Sequence, residues 1–263
     1  MPKERLTLLI EMVSGAVPVS EEGSMRLSMI RSYGNSAPGV ERRVERCYGL
    51  FMHIAVLMFA LMTAVGGAMA QPAAKPVKLV VLGDSLSAGL GLPGQDAFPA
   101  KLQKALQDKG IAVDMTNAGV SGDTSSGGRD RLDWSVPEGT EGVIIELGAN
   151  DALRGIDPEL TRAALSDIVA RLKGRGIAVM LCGMLAPPNY GRDYAARFNP
   201  IYSELSKKFD VPLYPFFLDG VAADAKLNQA DGIHPTAAGV DIIVKNMMPT
   251  VEAFLGTISE QRR

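Results

Sequence analysis

Beyond about residue 76, hydrophobic residues alternate between short continuous runs and longer stretches with helical spacing. A continuous apolar run of four to eight residues is typical of a strand that is buried on both faces of a parallel sheet. Apolar residues that recur every three or four positions are typical of a helix that packs by one face. The pattern predicts strands at residues 77–82, 111–116, 143–147, 177–182 and 211–214, and helices at about 97–109, 160–175, 193–209 and 236–255.

The alternation of strands and helices predicts an α/β fold. Right-handed crossovers between parallel strands place helices on both faces of the sheet. We therefore expect a single-domain, three-layer α/β/α sandwich with a flavodoxin-like, doubly wound parallel sheet of about five strands. The chain has 263 residues, of which 47% are hydrophobic, and this is enough for one domain with a full core.

The first 70 residues differ in composition from the rest of the chain. Basic residues at positions 42–46 precede an almost wholly apolar run at 50–65, and small residues then lead to Ala70. This order is typical of a secretory signal peptide that is cleaved after Ala70. A transmembrane anchor is the alternative, but the run is shorter than the roughly 20 apolar residues of a usual spanning helix and contains His53.

These features divide the chain into four parts. Residues 1–46 form an N-terminal extension that ends in the basic segment, 47–70 hold the apolar region and cleavage site, 71–76 form a linker, and 77–263 form the folded domain. The extension is longer than that of a usual signal peptide, so we expect translation to start downstream, at Met25 or later; a disordered cytoplasmic tail is the alternative. The expected location is periplasmic or secreted, without a stable membrane anchor after cleavage.

Charge and cysteine content narrow the choice of partners. The net charge is −2 and no basic patch is present, which argues against a nucleic-acid partner. Of the two cysteines, Cys47 precedes the expected cleavage site, so the mature chain has one thiol and no internal disulfide. Cys182 lies in an apolar strand, where we expect it to be a small buried hydrophobic residue.

The segment Gly83-Asp84-Ser85 follows the first predicted strand directly. In open α/β sheets, ligands bind at the carboxyl ends of the strands, so Ser85 has the position of a nucleophile. The same three residues are also an ordinary turn. His234 is the only histidine after the expected cleavage site, and Asp231 precedes it by three residues, so Asp231 can orient the imidazole as a base. The alternative is that Asp231 caps the following helix.

Two further segments follow predicted strands at the same edge of the sheet. Asn150 comes directly after the third strand, and its amide is a suitable donor to a developing oxyanion. Gly122 lies in the loop after the second strand, where a glycine lets the backbone N–H approach a substrate. The alternatives are a helix cap for Asn150 and a plain flexible loop around Gly122.

Together these segments resemble the four sequence blocks of the SGNH (GDSL) hydrolases, in the order that is found in that family. The resemblance covers most of the mature chain and is closest to the exported bacterial thioesterase, lysophospholipase and arylesterase branch. The blocks are Gly83-Asp84-Ser85-Leu86-Ser87, Gly122 within Ser-Gly-Asp-Thr, Gly148-Ala149-Asn150-Asp151 and Asp231-Gly232-Ile233-His234-Pro235.

The resemblance implies a role for each of these residues. Ser85 would be the nucleophile, His234 the general base and then acid, and Asp231 its orienting partner. The backbone N–H groups of Ser85 and Gly122 and the side chain of Asn150 would form the oxyanion hole. The implied reaction is a two-step acyl transfer to water, with carboxylic esters and thioesters as substrates.

The loop after the fourth strand is apolar and contains two adjacent prolines. Its position predicts a wall beside Ser85 that contacts an acyl or aryl group, formed by Leu185, Pro187, Pro188 and Tyr190. A rigid connector is the alternative. Arg154 is either a contact for a polar head group or a solvent-exposed arginine. No cluster of His, Cys and Asp has ligand spacing, so we expect neither a metal nor a cofactor, and the predicted partner is a small-molecule ester or thioester.

Three other functions fit parts of the sequence. The glycines between Gly89 and Gly94 fit a dinucleotide-binding fingerprint, with Asp114 as its acidic residue, but they do not follow the first strand directly. A non-catalytic periplasmic lipid-binding protein could share the fold. A carbohydrate O-acetyl esterase would share the chemistry, but the chain has one tryptophan and few aromatic residues for stacking on a sugar.

Overall fold

The computed structural model describes residues 75–262, and the predicted signal peptide and N-terminal extension lie outside the described residues. One sheet of five parallel strands has the order β2-β1-β3-β4-β5. The prediction of a flavodoxin-like parallel sheet is confirmed. The strands are β1 (Val77–Gly83), β2 (Val113–Gly119), β3 (Gly142–Glu146), β4 (Ala178–Cys182) and β5 (Leu213–Tyr214).

Helices connect the strands and form two packed groups. Short 3-10 helices span Gly94–Asp96 and Pro188–Tyr190. The α-helices are α1 (Ser85–Ala88), α2 (Phe98–Asp108), α3 (Ser125–Asp130), α4 (Leu132–Ser135), α5 (Ala149–Leu153), α6 (Pro158–Gly174), α7 (Gly191–Phe198), α8 (Ile201–Phe209) and α9 (Ala237–Gln261). Helix α2 packs against α9, whereas α6 packs against α3 and α8. Crossovers between parallel strands are right-handed as a rule, and with this strand order they place the two groups on opposite faces of the sheet, which gives the expected three layers.

The apolar runs of the sequence occupy the middle of this sandwich. Every residue of β3 and β4 is buried, and β1 is buried except for Lys78. Cys182 is fully buried at the end of β4. The strand order reverses direction between β1 and β3, because the chain leaves β1 toward β2 and then returns to the other side. This is the point at which open α/β sheets bind ligands, and β1 ends there immediately before Ser85.

Three predicted elements differ from the structure by more than two residues, and one of them, the helix expected at 236–255, continues as α9 to Gln261. The helix expected at 193–209 is two helices, α7 and α8, because Pro200 has no N–H with which to continue the hydrogen-bond ladder. The second strand was expected at 111–116 but runs from Val113 to Gly119. Backbone pairing of β2 with β1 continues to Gly119 although Val113 is the only buried residue of this edge strand, so the apolar pattern misplaced its end.

The glycine-rich segment that resembles a dinucleotide fingerprint does not join a strand to a helix. Gly89 is the left-handed C-terminal cap of α1, with φ of 80°, and Gly94 begins a 3-10 helix. Asp114 is the second residue of β2, far from its carboxyl end. Within residues 75–262, no helix has both the length and the apolar character needed to cross a membrane.

Candidate active site

The chain turns from β1 into α1 within one residue, Asp84, and this turn presents Ser85 at the edge of the sheet. Asp84 caps α1, since its carboxylate accepts the N–H of Leu86 at 3.0 Å. The turn requires glycine at position 83, because a Cβ there would lie 2.3 Å from Ser87 Oγ. Ser85 retains 8% of its surface, so its hydroxyl is almost buried but still reachable.

Ser85, His234 and Asp231 form a continuous chain of hydrogen bonds. His234 Nε2 lies 2.8 Å from Ser85 Oγ, and His234 Nδ1 lies 2.7 Å from Asp231 Oδ2. The Asp231 carboxylate can only accept, so Nδ1 carries the imidazole proton and Nε2 accepts from the serine hydroxyl. This arrangement can take a proton from Ser85.

The turn that carries His234 holds the Asp231 carboxylate in its ionised form. Its Oδ1 accepts the backbone N–H groups of Ile233 at 2.9 Å and His234 at 3.0 Å. The backbone bond from His234 and its side-chain bond keep the pKa of Asp231 well below its usual range, although Asp231 is solvent-exposed. A fixed negative charge beside the imidazole favours the protonated state that forms when Ser85 loses its proton.

Gly122 lies on the loop after β2, beside the turn at residues 83–85 that leads from β1 into α1 and is called the nucleophile turn below. It has a φ of 83°, in the region that favours glycine. The loop is tied to the end of β1 by a bond from Val120 N–H to the Gly83 carbonyl at 3.0 Å. Arg154 is exposed and donates to the Gly122 carbonyl at 2.8 Å, so the structure gives this arginine a partner on the protein itself.

Arg131 supports the same loop from beneath and was not identified from the sequence. Its guanidinium is buried and donates to the carbonyls of Gly83 and Ala118, both at 2.8 Å, at the ends of β1 and β2. It also pairs with Asp123, the residue after Gly122, at 2.6 Å. Arg131 therefore fixes the spacing between the nucleophile turn and the Gly122 loop.

Asn150 is the second residue of α5, directly beyond β3. Its Nδ2 donates to Asp84 Oδ2 at 3.1 Å, so it lies beside the nucleophile turn rather than acting as a helix cap. Helix α5 is held from outside by an aromatic ladder of Tyr190, Tyr194, Phe198 and Tyr202, with ring centroids 5.2 to 6.2 Å apart. The tyrosine hydroxyls donate to the carbonyl of the last helical residue, Leu153, and to carbonyls on either side of the helix, at Leu147 and Ile156.

An apolar cavity of about 370 Å³ opens beside Ser85 and His234. Of the four residues predicted to contact substrate, Leu185 and Pro187 line it, whereas Pro188 and Tyr190 do not. Pro188 and Tyr190 lie in the 3-10 helix next to the cavity lining, where the Tyr190 hydroxyl donates to the Leu153 carbonyl. The lining residues are Ser85, Leu86, Leu90, Gly122, Ala149, Asn150, Ala152, Leu153, Met184, Leu185, Pro187, Phe216, Leu218, Ile233 and His234.

Part of the cavity lining was not predicted from the sequence. Phe216 and Leu218 follow β5 at the same edge of the sheet, and that position was the available signal. Leu90 lies in the glycine-rich segment and Ile233 lies between Asp231 and His234. Neither Leu90 nor Ile233 lies in a predicted strand or helix, so the hydrophobic pattern did not mark either as a cavity residue.

Comparisons with known proteins agree with this geometry. The model of the GDSL-like Lipase/Acylhydrolase family matches residues 81–242, which contain Ser85, Gly122, Asn150, Asp231 and His234. The chain belongs to this family. Esterase TesA of Pseudomonas aeruginosa is 40% identical over 178 residues, which are 67% of this chain and 89% of that protein.

A second curated relative of this GDSL-like hydrolase is "Thioesterase 1/protease 1/lysophospholipase L1" of Escherichia coli K12. It is 39% identical over 178 residues, which are 66% of this chain and 84% of that protein. Among solved structures, the crystal structure of TesA has 40% identity and a TM-score of 0.64, and covers 67% of this chain and 99% of that one. The resemblance inferred from the four sequence blocks is therefore confirmed.

The GDSL-like hydrolase has a buried carboxyl group under its nucleophile turn. Glu146, the last residue of β3, accepts the Asp84 N–H at 3.3 Å and the Ser87 hydroxyl at 2.6 Å through Oε2. Its Oε1 is buried without a partner among the described residues. Burial, and then the nearby Asp84, raise the pKa of Glu146 well above its usual range. Through Oε2 the carboxyl group anchors the turn as an acceptor.

A pair of substitutions tests this anchor. Glu146→Gln keeps a carbonyl oxygen for both donors, so we expect kcat within about threefold of the wild type and an unchanged melting temperature. Glu146→Leu leaves two buried donors without an acceptor, and we expect it to lower the free energy of unfolding by about 1–3 kcal/mol for each donor that stays unpaired. Chemical denaturation of both variants at pH 7 is the measurement. Equal destabilisation by Gln and Leu would show that the acceptor oxygen of Glu146 does not anchor the turn.

Proposed function

We propose that this protein hydrolyses carboxylic esters and thioesters through an acyl-enzyme intermediate on Ser85. The observation that carries the proposal is the hydrogen-bonded chain from Asp231 through His234 to Ser85 at the mouth of an apolar cavity. Nucleophile, base and orienting acid come from two different loops, so their alignment is not a consequence of local chain geometry. Neither helix capping nor turn formation accounts for the contact between His234 Nε2 and Ser85 Oγ.

In the first half of the proposed reaction, Ser85 Oγ attacks the carbonyl carbon of the substrate. Its proton passes to His234 Nε2, and Asp231 stabilises the imidazolium that results. The carbonyl π electrons move onto the oxygen and form a tetrahedral oxyanion. When this collapses, the bond to the alcohol or thiol breaks, and the leaving group takes the proton from Nε2.

In the second half, water replaces the departed alcohol or thiol. His234 Nε2 takes a proton from the water as its oxygen attacks the acyl-serine carbonyl. Collapse of the second tetrahedral species releases the carboxylic acid and returns the proton to Ser85 Oγ. The protein is then ready for another substrate, and no other group is consumed.

The oxyanion would be held by three donors around the cavity mouth: the backbone N–H groups of Ser85 and Gly122 and the Nδ2 of Asn150. Neither backbone N–H has an acceptor within residues 75–262. All three residues line the cavity. Fixed donors of this kind stabilise the charge that develops in the transition state more than they stabilise the neutral carbonyl.

Asn150→Ala tests the contribution of the side-chain donor. We expect kcat to fall by about 10²- to 10³-fold, because one oxyanion donor is lost. KM should stay within about threefold, since the ground-state carbonyl makes little use of the donor. Asn246→Ala is the control, because Asn246 is an exposed asparagine of α9 that donates to the Asp219 carbonyl outside the cavity. A parallel rise in KM with unchanged kcat would contradict the assigned role.

The apolar cavity lining supports an acyl or aryl group as the part of the substrate that binds. The names of the relatives, an esterase and a thioesterase that is also a lysophospholipase, support the same ester and thioester chemistry here. The proposed partner is thus a small-molecule acyl ester or thioester. Pro188 and Tyr190 would act only through the wall that they support.

The experiment that tests the function measures hydrolysis of p-nitrophenyl esters with acyl chains from two to sixteen carbons, with acyl-CoA thioesters of the same lengths in parallel. A cavity lined mainly by aliphatic residues predicts activity that extends beyond acetate to medium chains. Activity on acetate alone would favour an O-acetyl esterase. No hydrolysis of any ester would favour a lipid-binding protein.

We also propose that the protein is exported and cleaved after Ala70. The support is the order of basic, apolar and small residues at positions 42–70. Expression of the full chain in a Gram-negative host, followed by fractionation and N-terminal sequencing, tests the proposal. A periplasmic protein that begins at Gln71 is the expected result, and an uncleaved membrane-bound product would contradict it.

A further inference from the structure

The Asp84 carboxylate lies between the nucleophile and Asn150. One oxygen, Oδ1, accepts the Leu86 N–H at 3.0 Å, and the other, Oδ2, accepts Nδ2 of Asn150 at 3.1 Å. Asp84 has no exposed surface. A helix cap needs only the first of these contacts, so capping does not account for the second.

We propose that Asp84 is a positioning residue that holds the Asn150 amide with an N–H, and not its carbonyl oxygen, toward the oxyanion. The proposal rests on the proposed function, because it concerns the donor that Asn150 supplies to that reaction. Asp84 itself does not touch the substrate in this account. It acts through Asn150.

The physical reason is that an amide side chain has two ends of nearly equal size. Rotation by 180° exchanges the NH₂ group for the carbonyl oxygen with little change in shape. An NH₂ group that faces an oxyanion attracts it, whereas a carbonyl oxygen in the same place repels it. The Asn150 side chain therefore needs a neighbour that distinguishes its two ends.

An ionised carboxylate is such a neighbour, because it accepts hydrogen bonds and cannot donate them. The Asp84 carboxylate attracts the NH₂ end of Asn150 and repels the carbonyl end. One of the two N–H bonds is then used by Asp84, and the other stays available on the cavity side, where Asn150 lines the wall. The orientation that satisfies Asp84 is the one that supplies the donor.

The groups around Asp84 set its charge. Glu146 of β3 accepts the Asp84 N–H. Burial, and then nearby charges that include Asp84, raise the pKa of Tyr202 of α8. For Asp84 itself, burial is the largest effect and raises the pKa to about 6, against the opposing bonds from Leu86 and Asn150; of the nearby charges, His234 lowers this pKa and Asp151 of α5 raises it. Above that pH the group is a carboxylate. Below it the acid can donate to the Asn150 oxygen, and the wrong orientation is no longer excluded.

Asp84→Ser separates orientation from capping. Serine is a good helix cap and can still accept the Leu86 N–H, but it is too short to reach Asn150. We expect kcat to fall by about 10- to 100-fold, less than the loss for Asn150→Ala, because the amide still adopts the productive orientation part of the time. KM should stay within about threefold.

The decisive measurement is the same substitution in an Asn150→Ala background. If Asp84 acts through Asn150, Asp84→Ser should cost less than about twofold in kcat there, since the donor that it orients is already gone. A merely structural role predicts the same 10- to 100-fold loss in both backgrounds. That additive result would overturn the proposal and leave the proposed function intact, whereas retention of activity by Ser85→Ala would remove the proposed function itself.

Asp157→Ser is the matched control. Asp157 caps α6 in the same way, with Oδ1 on the Glu159 N–H at 3.2 Å, and it lies outside the cavity. The kcat of Asp157→Ser should equal that of the wild type.

Should Asp84→Ser not fold, Asp84→Asn replaces it in the same double-mutant cycle, because an amide at position 84 can face either end of Asn150. A wild-type kcat for a folded Asp84→Ser or Asp84→Asn variant would also overturn the proposal.

Discussion

Ser85→Ala is expected to lower kcat on a p-nitrophenyl ester by about 10⁴- to 10⁶-fold, the largest loss of any single substitution in this protein. Alanine has no oxygen with which to attack the substrate carbonyl, so no acyl-enzyme can form. The cavity and the oxyanion donors stay in place, and KM should therefore change little. Removing the hydroxyl also frees His234 Nε2 from its 2.8 Å contact, but it leaves the Asp231 bond intact.

Ser121→Ala is the control for the nucleophile. Ser121 precedes Gly122 on the neighbouring loop and is exposed. Its loss should leave kcat and KM within about twofold of the wild type, because exposed hydroxyls away from buried contacts contribute little. Both variants should melt at the wild-type temperature. A folded Ser85→Ala protein that retained a tenth of the activity would exclude Ser85 as the nucleophile.

His234→Ala is expected to have the second largest effect, with kcat again lowered by about 10⁴- to 10⁶-fold. Without the imidazole, Ser85 has no base in contact and its proton must pass directly to solvent. Asp231→Ala should cost less, because the imidazole would remain while its orientation and its stabilised charge were lost. The order of the two losses distinguishes a base from the residue that orients it.

Two of the candidate catalytic positions were accessible from the sequence because each follows a recognisable strand. Once the ends of parallel strands are known, Ser85 after β1 and Asn150 after β3 must share one edge of the sheet. The three-residue spacing of Asp231 and His234 similarly predicted a contact that the turn makes. Position relative to the sheet therefore carried most of the inference about the site.

Element ends and contacts between loops were less accessible. Pro200 separates α7 from α8, whereas Pro249 lies inside α9, so proline alone does not fix where a helix stops. The end of β2 depends on pairing with β1 and not on its own hydrophobic pattern. The roles of Arg131 and Asp84 depend on which loops meet in space, and no periodicity encodes that.

The central claim is that Ser85 attacks the acyl carbon. Incubation of residues 71–263 with a p-nitrophenyl alkylphosphonate tests it directly, because the attacking oxygen becomes covalently bonded to phosphorus as p-nitrophenolate leaves. The account predicts inactivation with one p-nitrophenolate released per protein molecule, an adduct on Ser85 by peptide mass spectrometry, and no adduct on Ser85→Ala. Full inactivation with Ser85 unmodified, or with the adduct on another residue, would contradict it.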